Sequence, residues 1–207
     1  MKLLSLLAIS STQGQLLSRE ACPEIPKIAD FDAERYSGQW WEQARYPYAF
    51  QNPLGRCVGA KYGVIDESKI SVLNTNVIPK PDGSGLWEMQ YVNAFGTIVD
   101  PEFPNKLNIN FDYFGPNVRE RGTNYWVMET DYDEYTIVMN CEGRDDGFTV
   151  SYGWLMTREK DMRVLNPRRY DELLEKAKGY STLWARPEVI TADNTDCSFD
   201  EESYWPN

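Results

Sequence analysis

YSGQWWEQARYPYAF, residues 36–50, sets a glycine and two adjacent tryptophans inside a stretch that otherwise reads as a β-strand. Successive side chains of a strand point to opposite faces, so Trp40 and Trp41 cannot share one. An indole on each side implies that both sides of this strand have something to cover. The rest of the chain shows what that is.

Beyond this stretch, short segments alternate with turns, the pattern of an all-β domain. In KLNINFDYF, residues 106–114, Leu107, Ile109, Phe111 and Tyr113 share one face, and Asn108, Asn110 and Asp112 the other. FTVSYGWLMTR, residues 148–158, groups Phe148, Val150, Tyr152, Trp154 and Met156. CVGAKYGVI, residues 57–65, groups Val58, Ala60, Tyr62 and Val64. Half-apolar strands of this kind suit an antiparallel sheet. Further strands are expected over residues 69–78, 85–97, 122–131 and 134–142, making about eight with the one that opens at Gln39. Gly-, Pro-, Asn- and Asp-rich turns separate them. Alternation does not decide which face of 85–97 turns inward, because Trp87, Met89 and Tyr91 oppose Leu86, Gln90 and Val92.

One helix interrupts the pattern. In NPRRYDELLEKAKGY, Asn166 suits an N-cap, Pro167 the first helical position and Gly179 a stop, over about 167–179. Tyr170, Leu173, Leu174 and Ala177 form its apolar stripe. The expected fold is all-β: an eight-stranded antiparallel up-and-down barrel, a calyx, over about 36–158, with one C-terminal α-helix packed outside. Closure removes sheet edges, and about eight strands leave room for one small ligand.

At 207 residues, 42% hydrophobic and 14% aromatic, the chain fits a single domain with a sizeable core. A formal charge of -11 disfavours nucleic acid and anionic membrane surfaces. There is no histidine, which removes the commonest general base and transition-metal ligand and every Ser-His-Asp or Cys-His arrangement. The start reads as a secretory signal peptide over 1–14: Lys2, an apolar run from Leu3 to Ile9, then Thr12 and Gly14 before cleavage ahead of Gln15. No later stretch is apolar for long enough to span a membrane, so 15–207 is expected to be one soluble, exported domain. Cys22, Cys57, Cys141 and Cys197 then suit two disulfides, with three pairings open. Their spacing matches no zinc site, so no metal is expected. There is no Asn-x-Ser/Thr sequon, and the acidic tail past Cys197 is expected to fray.

Three separated motifs, in order, resemble the lipocalin family. Gly38-Gln39-Trp40 is similar to its Gly-x-Trp on the first strand, Thr130-Asp131-Tyr132 to its turn between the sixth and seventh strands, and Arg158 to the arginine ending the eighth. ACPEIPKIADFDAERYSGQWWEQARYP, GRCVGAKY and TDYDEYTIVMNC place the likeness near apolipoprotein D and the insect bilin-binding proteins. The resemblance implies Cys22–Cys141 and Cys57–Cys197 pairs. It implies Trp40 inward as the floor of the calyx beneath Arg158, the turn 31–37 plugging that end, and Trp41 outward under the late helix. Gly38, Thr130, Asp131, Tyr132 and Arg158 would then mark the closed end, with no catalytic part.

Alternation anchored on those motifs makes Ala60, Tyr62, Val64, Leu107, Ile109, Phe111, Tyr125, Val127, Val138, Tyr152, Trp154 and Met156 the interior candidates, with a filled core as the plainer reading. The loop 46–56 would be a flap, its Tyr46, Tyr48 and Phe50 at the entrance. Asn74 and Asn76 share a face and could reach a ligand's polar end, or be merely solvated. The implied partner is a small hydrophobic ligand: a retinoid, carotenoid, fatty acid, sterol or open-chain tetrapyrrole. No cofactor is required, and the protein would act as a monomer or weak homo-oligomer. The alternatives are a pigment-binding chromoprotein for biliverdin or carotenoid, a ligand-isomerising enzyme with a free lumenal cysteine, and a ligand-free structural protein.

Overall fold

A computed structural model describes residues 16–48, 51–111, 123–195 and 197. The expected signal peptide, Phe50, Asp112, Tyr113, the turn at 114–122 and the tail past Cys197 lie outside the described residues. Among the described residues ten strands follow in chain order: β1 (Leu16–Ser18), β2 (Gly38–Arg45), β3 (Arg56–Asp66), β4 (Lys69–Pro79), β5 (Trp87–Ile98), β6 (Lys106–Phe111), β7 (Tyr125–Thr130), β8 (Tyr135–Gly143), β9 (Thr149–Thr157) and β10 (Ile190–Thr191). From β2 to β9 each strand pairs antiparallel with the next, and β9 returns to pair with β2, so eight of them close a barrel. The short β1 continues along β9, and β10 pairs with Ala44 and Arg45 of β2.

Alternation divides the apolar residues into two layers. Tyr125, Val127 and Val138 face the interior, while Trp126, Met128, Ile137 and Met139 of the same strands face outward. The outer layer is covered by helix α3 (Pro167–Lys178), introduced after α1 (Ala33–Tyr36) and α2 (Met162–Leu165). Tyr170, Leu173 and Ala177 of α3 and Leu183 and Trp184 of a following 3-10 turn are buried on it. The helix begins and ends where its local chemistry dictates. Asn166 accepts a hydrogen bond from the Arg169 N–H, Pro167 opens the first turn and Gly179 closes the last.

At the closed end, Asp32 caps α1, and the Tyr36 ring enters the barrel above Trp40, with centroids 5.3 Å apart. Trp40 is fully buried and donates its indole N–H to the Tyr36 carbonyl at 2.8 Å. The Arg158 guanidinium lies 3.7 Å from the Trp40 ring centroid and donates to the carbonyls of Arg35, Gln39 and Tyr132. One planar fork thus ties α1, β2 and the β7–β8 turn together. In that turn the Asp131 carboxylate accepts the backbone N–H groups of Asp133, Glu134 and Tyr135. Gly38 is required at the rim: its φ is +93°, and a Cβ there would lie 3.2 Å from the Arg158 Nη1.

Cys22–Cys141 fastens the N-terminal segment to β8, and Cys57–Cys197 fastens the C-terminal segment to β3, with Cα separations of 5.5 and 5.7 Å. Trp41 does face outward, but α3 covers β7 to β9 instead. The Trp41 ring lies beneath the Lys160 ammonium at 5.0 Å, against Gly59 of β3, where a Cβ would come within 3.3 Å of the indole.

Candidate functional site

Above the closed end the barrel holds a cavity of about 640 Å³ that opens opposite Trp40 and Arg158. Eight of the interior candidates line it, Ala60, Tyr62, Ile109, Phe111, Tyr125, Tyr152, Trp154 and Met156, as do Asn74, Asn76 and the entrance residue Tyr48. Cross-strand registry assembles the walls. Ala60 pairs with Asn74, Asn74 with Val92, and Asn76 with Gln90, so the even-numbered residues of β5 face inward. Their odd-numbered neighbours Trp87, Tyr91 and Phe95 are exposed outside, and Met89 packs on the Cys57–Cys197 bridge.

One wall is aromatic. The Tyr152 and Trp154 rings lie 6.4 Å apart and nearly parallel at 10°, with Tyr125 stacked beyond at 6.4 Å and 27°. Tyr48 packs on Trp154, and its hydroxyl accepts the indole N–H and donates to Gln51.

The floor is polar at its centre. The Tyr125 hydroxyl is 2.7 Å from that of Tyr62 and 2.8 Å from that of Tyr36, which also lies 3.2 Å from Thr136 Oγ1. Burial disfavours the phenolate, so it pushes Tyr36 up to about 12 and raises Tyr62 and Tyr125 as well. All three are therefore neutral hydroxyls at physiological pH.

Several expected lining residues lie elsewhere. Trp40, Leu107, Val127 and Val138 belong to the packed layer below the floor, because the Tyr36, Tyr62 and Tyr125 rings intervene. Val64 is half-buried, past Tyr62 and off the cavity. Tyr46 does not stand at the entrance. It is fully buried on the outer side of the wall, its ring 4.5 Å from that of Trp184. The cause is a bulge: Glu42 pairs with Met156 and Ala44 with Leu155, leaving Gln43 as an extra residue. Every position after it changes face.

The cavity also takes in residues that were not among the site candidates. Glu42, Gln51, Val58, Gly59, Val72, Thr75, Gln90, Val92, Asn124 and Asn140 also line the cavity. Glu42 is two residues on from Trp40, Asn140 two on from Val138 and Val72 two before Asn74, so period-two counting reaches all three. Asn124 does structural work as well, since its side-chain amide donates to the Ile109 carbonyl and accepts the Ile109 N–H. It extends the short β6–β7 ladder in place of a strand residue.

Comparison with known proteins agrees with this architecture. A family model described as a lipocalin-like domain matches residues 31–186. The chain is 31% identical to apolipoprotein D of Macaca fascicularis over 162 residues, covering 77% of this chain and 79% of that one. It is 27% identical to the Lazarillo protein of Schistocerca americana over 176 residues, 83% of this chain and 75% of that one. Among solved structures it is similar to insecticyanin of the tobacco hornworm Manduca sexta, with a TM-score of 0.67 at 23% identity over 88% of this chain and 91% of the other.

Proposed function

The chain belongs to the lipocalin family, and from that premise we propose that it is an exported carrier enclosing one small hydrophobic ligand in its calyx. The observation that carries the reading is the 640 Å³ cavity, walled by Tyr152, Trp154, Tyr125 and Phe111 and sealed below by the packed layer around Trp40. A pocket of that size, mostly apolar with a few convergent polar groups, suits a ligand of drug or lipid dimensions. Burial of the ligand's apolar surface, at about 25 cal/mol per Å², supplies the affinity. Ala60, Tyr62, Ile109, Phe111, Met156 and the Tyr152–Trp154 wall are the apolar contacts, with Asn74 as a polar one.

Binding, not catalysis, is the proposed role. All four cysteines are in disulfides and there is no histidine, so no side chain here is assigned the work of a nucleophile or general base. Export follows from the signal-like start and the two disulfides, which an oxidising compartment maintains. The candidate ligands are a retinoid, carotenoid, sterol, fatty acid or open-chain tetrapyrrole. A pigment-binding role is the second reading, favoured by the near-parallel Tyr152 and Trp154 rings, a flat surface for a conjugated ligand.

The test is titration of the purified protein with the uncharged dye Nile red and with retinol, following dye emission and tryptophan quenching. Saturable binding at one site per chain is expected, and a Trp154→Ala variant should bind about tenfold more weakly, near 1.4 kcal/mol. A folded protein that admits neither probe refutes the carrier reading. Incubation with biliverdin or a carotenoid separates the readings, since only a chromoprotein acquires a shifted, protein-bound absorption band.

A further inference from the structure

Glu42 is the only charged residue among the described residues that line the cavity, and it is 2% exposed. Its Oε1 accepts from Arg45 Nη1 at 2.6 Å, and its Oε2 accepts from Gln51 Nε2 at 3.3 Å. Arg45, itself 1% exposed, is not a lining residue, and it further donates to the Asn52 carbonyl. The lumen therefore meets the carboxylate and not the guanidinium. A carboxylate offers about four lone-pair sites, so Glu42 retains capacity for further donors.

Four donors of the wall are already taken up within the protein. The Trp154 N–H is given to Tyr48, the Tyr48 O–H to Gln51, the Gln51 amide to Glu42 and the Asn124 amide to Ile109. Asn140 Oδ1 and Asn76 Oδ1 receive no donor from the described residues, but both atoms are occluded from the lumen, and Asn76 Oδ1 lies against Gly55. The acceptor that the lumen meets is therefore the Glu42 carboxylate. At the floor, Tyr62, Tyr125, Tyr36 and Thr136 make three mutual hydroxyl links, and of the four only Tyr62 and Tyr125 line the cavity.

Resting on the carrier reading, we propose that the lumen selects uncharged apolar ligands that carry N–H or O–H donors, such as an amide, a lactam or a hydroxylated lipid, and disfavours a ligand carboxylate. A donor placed against Glu42 makes a charge-assisted hydrogen bond in a poorly hydrated site. A carboxylate there adds a like charge whose nearest buried cation is already engaged.

The test uses three ligands of equal chain length: oleamide, oleic acid and methyl oleate, each displacing Nile red from the intact, non-reduced protein at neutral pH. Oleamide should displace the dye at about tenfold lower concentration than either the acid or the ester, which brings no donor. Glu42→Gln alone strands a buried guanidinium and invites misfolding, so the paired variant is Glu42→Gln with Arg45→Met. In it the amide-to-acid ratio, read within the same protein so that changes in dye affinity divide out, should fall to about threefold or less. Equal or tighter binding of oleic acid by the unsubstituted protein overturns the inference, as does an unchanged ratio in a variant shown to be folded by near-ultraviolet circular dichroism. Entry of the dye without selectivity refutes this inference alone. Exclusion of the dye refutes the carrier reading and this inference with it.

Discussion

Replacing Arg158 with alanine should destabilise the barrel without emptying it of affinity. The guanidinium lies 3.7 Å above the Trp40 ring and bonds the carbonyls of Arg35, Gln39 and Tyr132 at 2.8, 2.9 and 3.0 Å. The partly desolvated cation–π contact contributes about 1–2 kcal/mol. Three hydrogen bonds at a half-exposed rim, where water can replace the donor, contribute about 1 kcal/mol each. Coupling among them makes a total of about 3–5 kcal/mol reasonable. With a urea slope of about 2 kcal/mol per molar, the midpoint falls by about 2 M. Arg158→Lys keeps a cation near the indole but cannot reach three carbonyls, so it should recover about half of the loss. The assay is equilibrium urea unfolding with both disulfides intact, followed by tryptophan emission. Nile red affinity below the transition should stay within about threefold, under 1 kcal/mol, because Tyr36, Tyr62 and Tyr125 separate Trp40 from the cavity. A midpoint shift below about 0.5 M, or a lysine variant equal to the unsubstituted protein, refutes the reasoning.

Gly38→Ala should cost about 1–3 kcal/mol, from its positive φ and the crowding of Arg158 Nη1. Gly83→Ala, at φ +73° with nothing within 4 Å, should cost less, and equal losses in calorimetric midpoint would remove the role given to Arg158. Alkali should destabilise the fold between about pH 10 and 12. Burial raises the folded-state tyrosine pKa values, Tyr36 to about 12, while the unfolded chain ionises near 10, so this stability is complete below 10 and is lost as pH rises. The slope is about 1.4 kcal/mol per pH unit per buried tyrosine, urea midpoints at successive pH values measure it, and Tyr36→Phe should make it shallower. Removing the second bridge with Cys57→Ser and Cys197→Ser should cost about 2–4 kcal/mol in the same unfolding assay. The segment should nonetheless stay docked, because Asn194 donates to the Glu42 carbonyl at 2.6 Å and Asp193 accepts the residue 57 N–H at 2.9 Å. Fast hydrogen exchange at residue 57 in the variant would contradict that.

What could be read from the sequence follows the range of the forces involved. The helix was legible to its last residue because Asn166, Pro167 and Gly179 act on backbone groups within a turn of themselves. Half-apolar strands such as β6 and β9 declared their faces through alternation. The inward face of β5 was not legible, since both faces are partly apolar and only registry with β4 decides between them. The three residues of β1 and two of β10 form no pattern of their own and exist as strands through β9 and β2. At the cavity the aromatic wall of Tyr62, Phe111, Tyr125, Tyr152 and Trp154 was legible, but Val64, Leu107, Val127 and Val138 lie off it and Glu42 and Asn140 were missed. An expectation of an apolar lining gives no reason to stop at a carboxylate or an amide, although both sit in phase with residues it accepts.

The bulge at Gln43 joins these threads. Unbroken alternation from Trp40 would send Glu42, Ala44 and Tyr46 into the cavity and Arg45 into the apolar layer beneath Trp184. Each charge would then be buried without the other, an arrangement that costs several kcal/mol per ion. One extra residue instead sets Ala44 and Tyr46 against that outer layer and leaves Arg45 on the side of Glu42 and Tyr48. Gln43 is itself held there, donating to the Glu159 and Lys160 carbonyls and accepting the Met162 N–H. The two tryptophans fix which way the strand faces at its start, and the bulge reverses that choice halfway along. A single strand can therefore seal the closed end with an indole and put a carboxylate in the lumen, while covering the outer layer with a tyrosine.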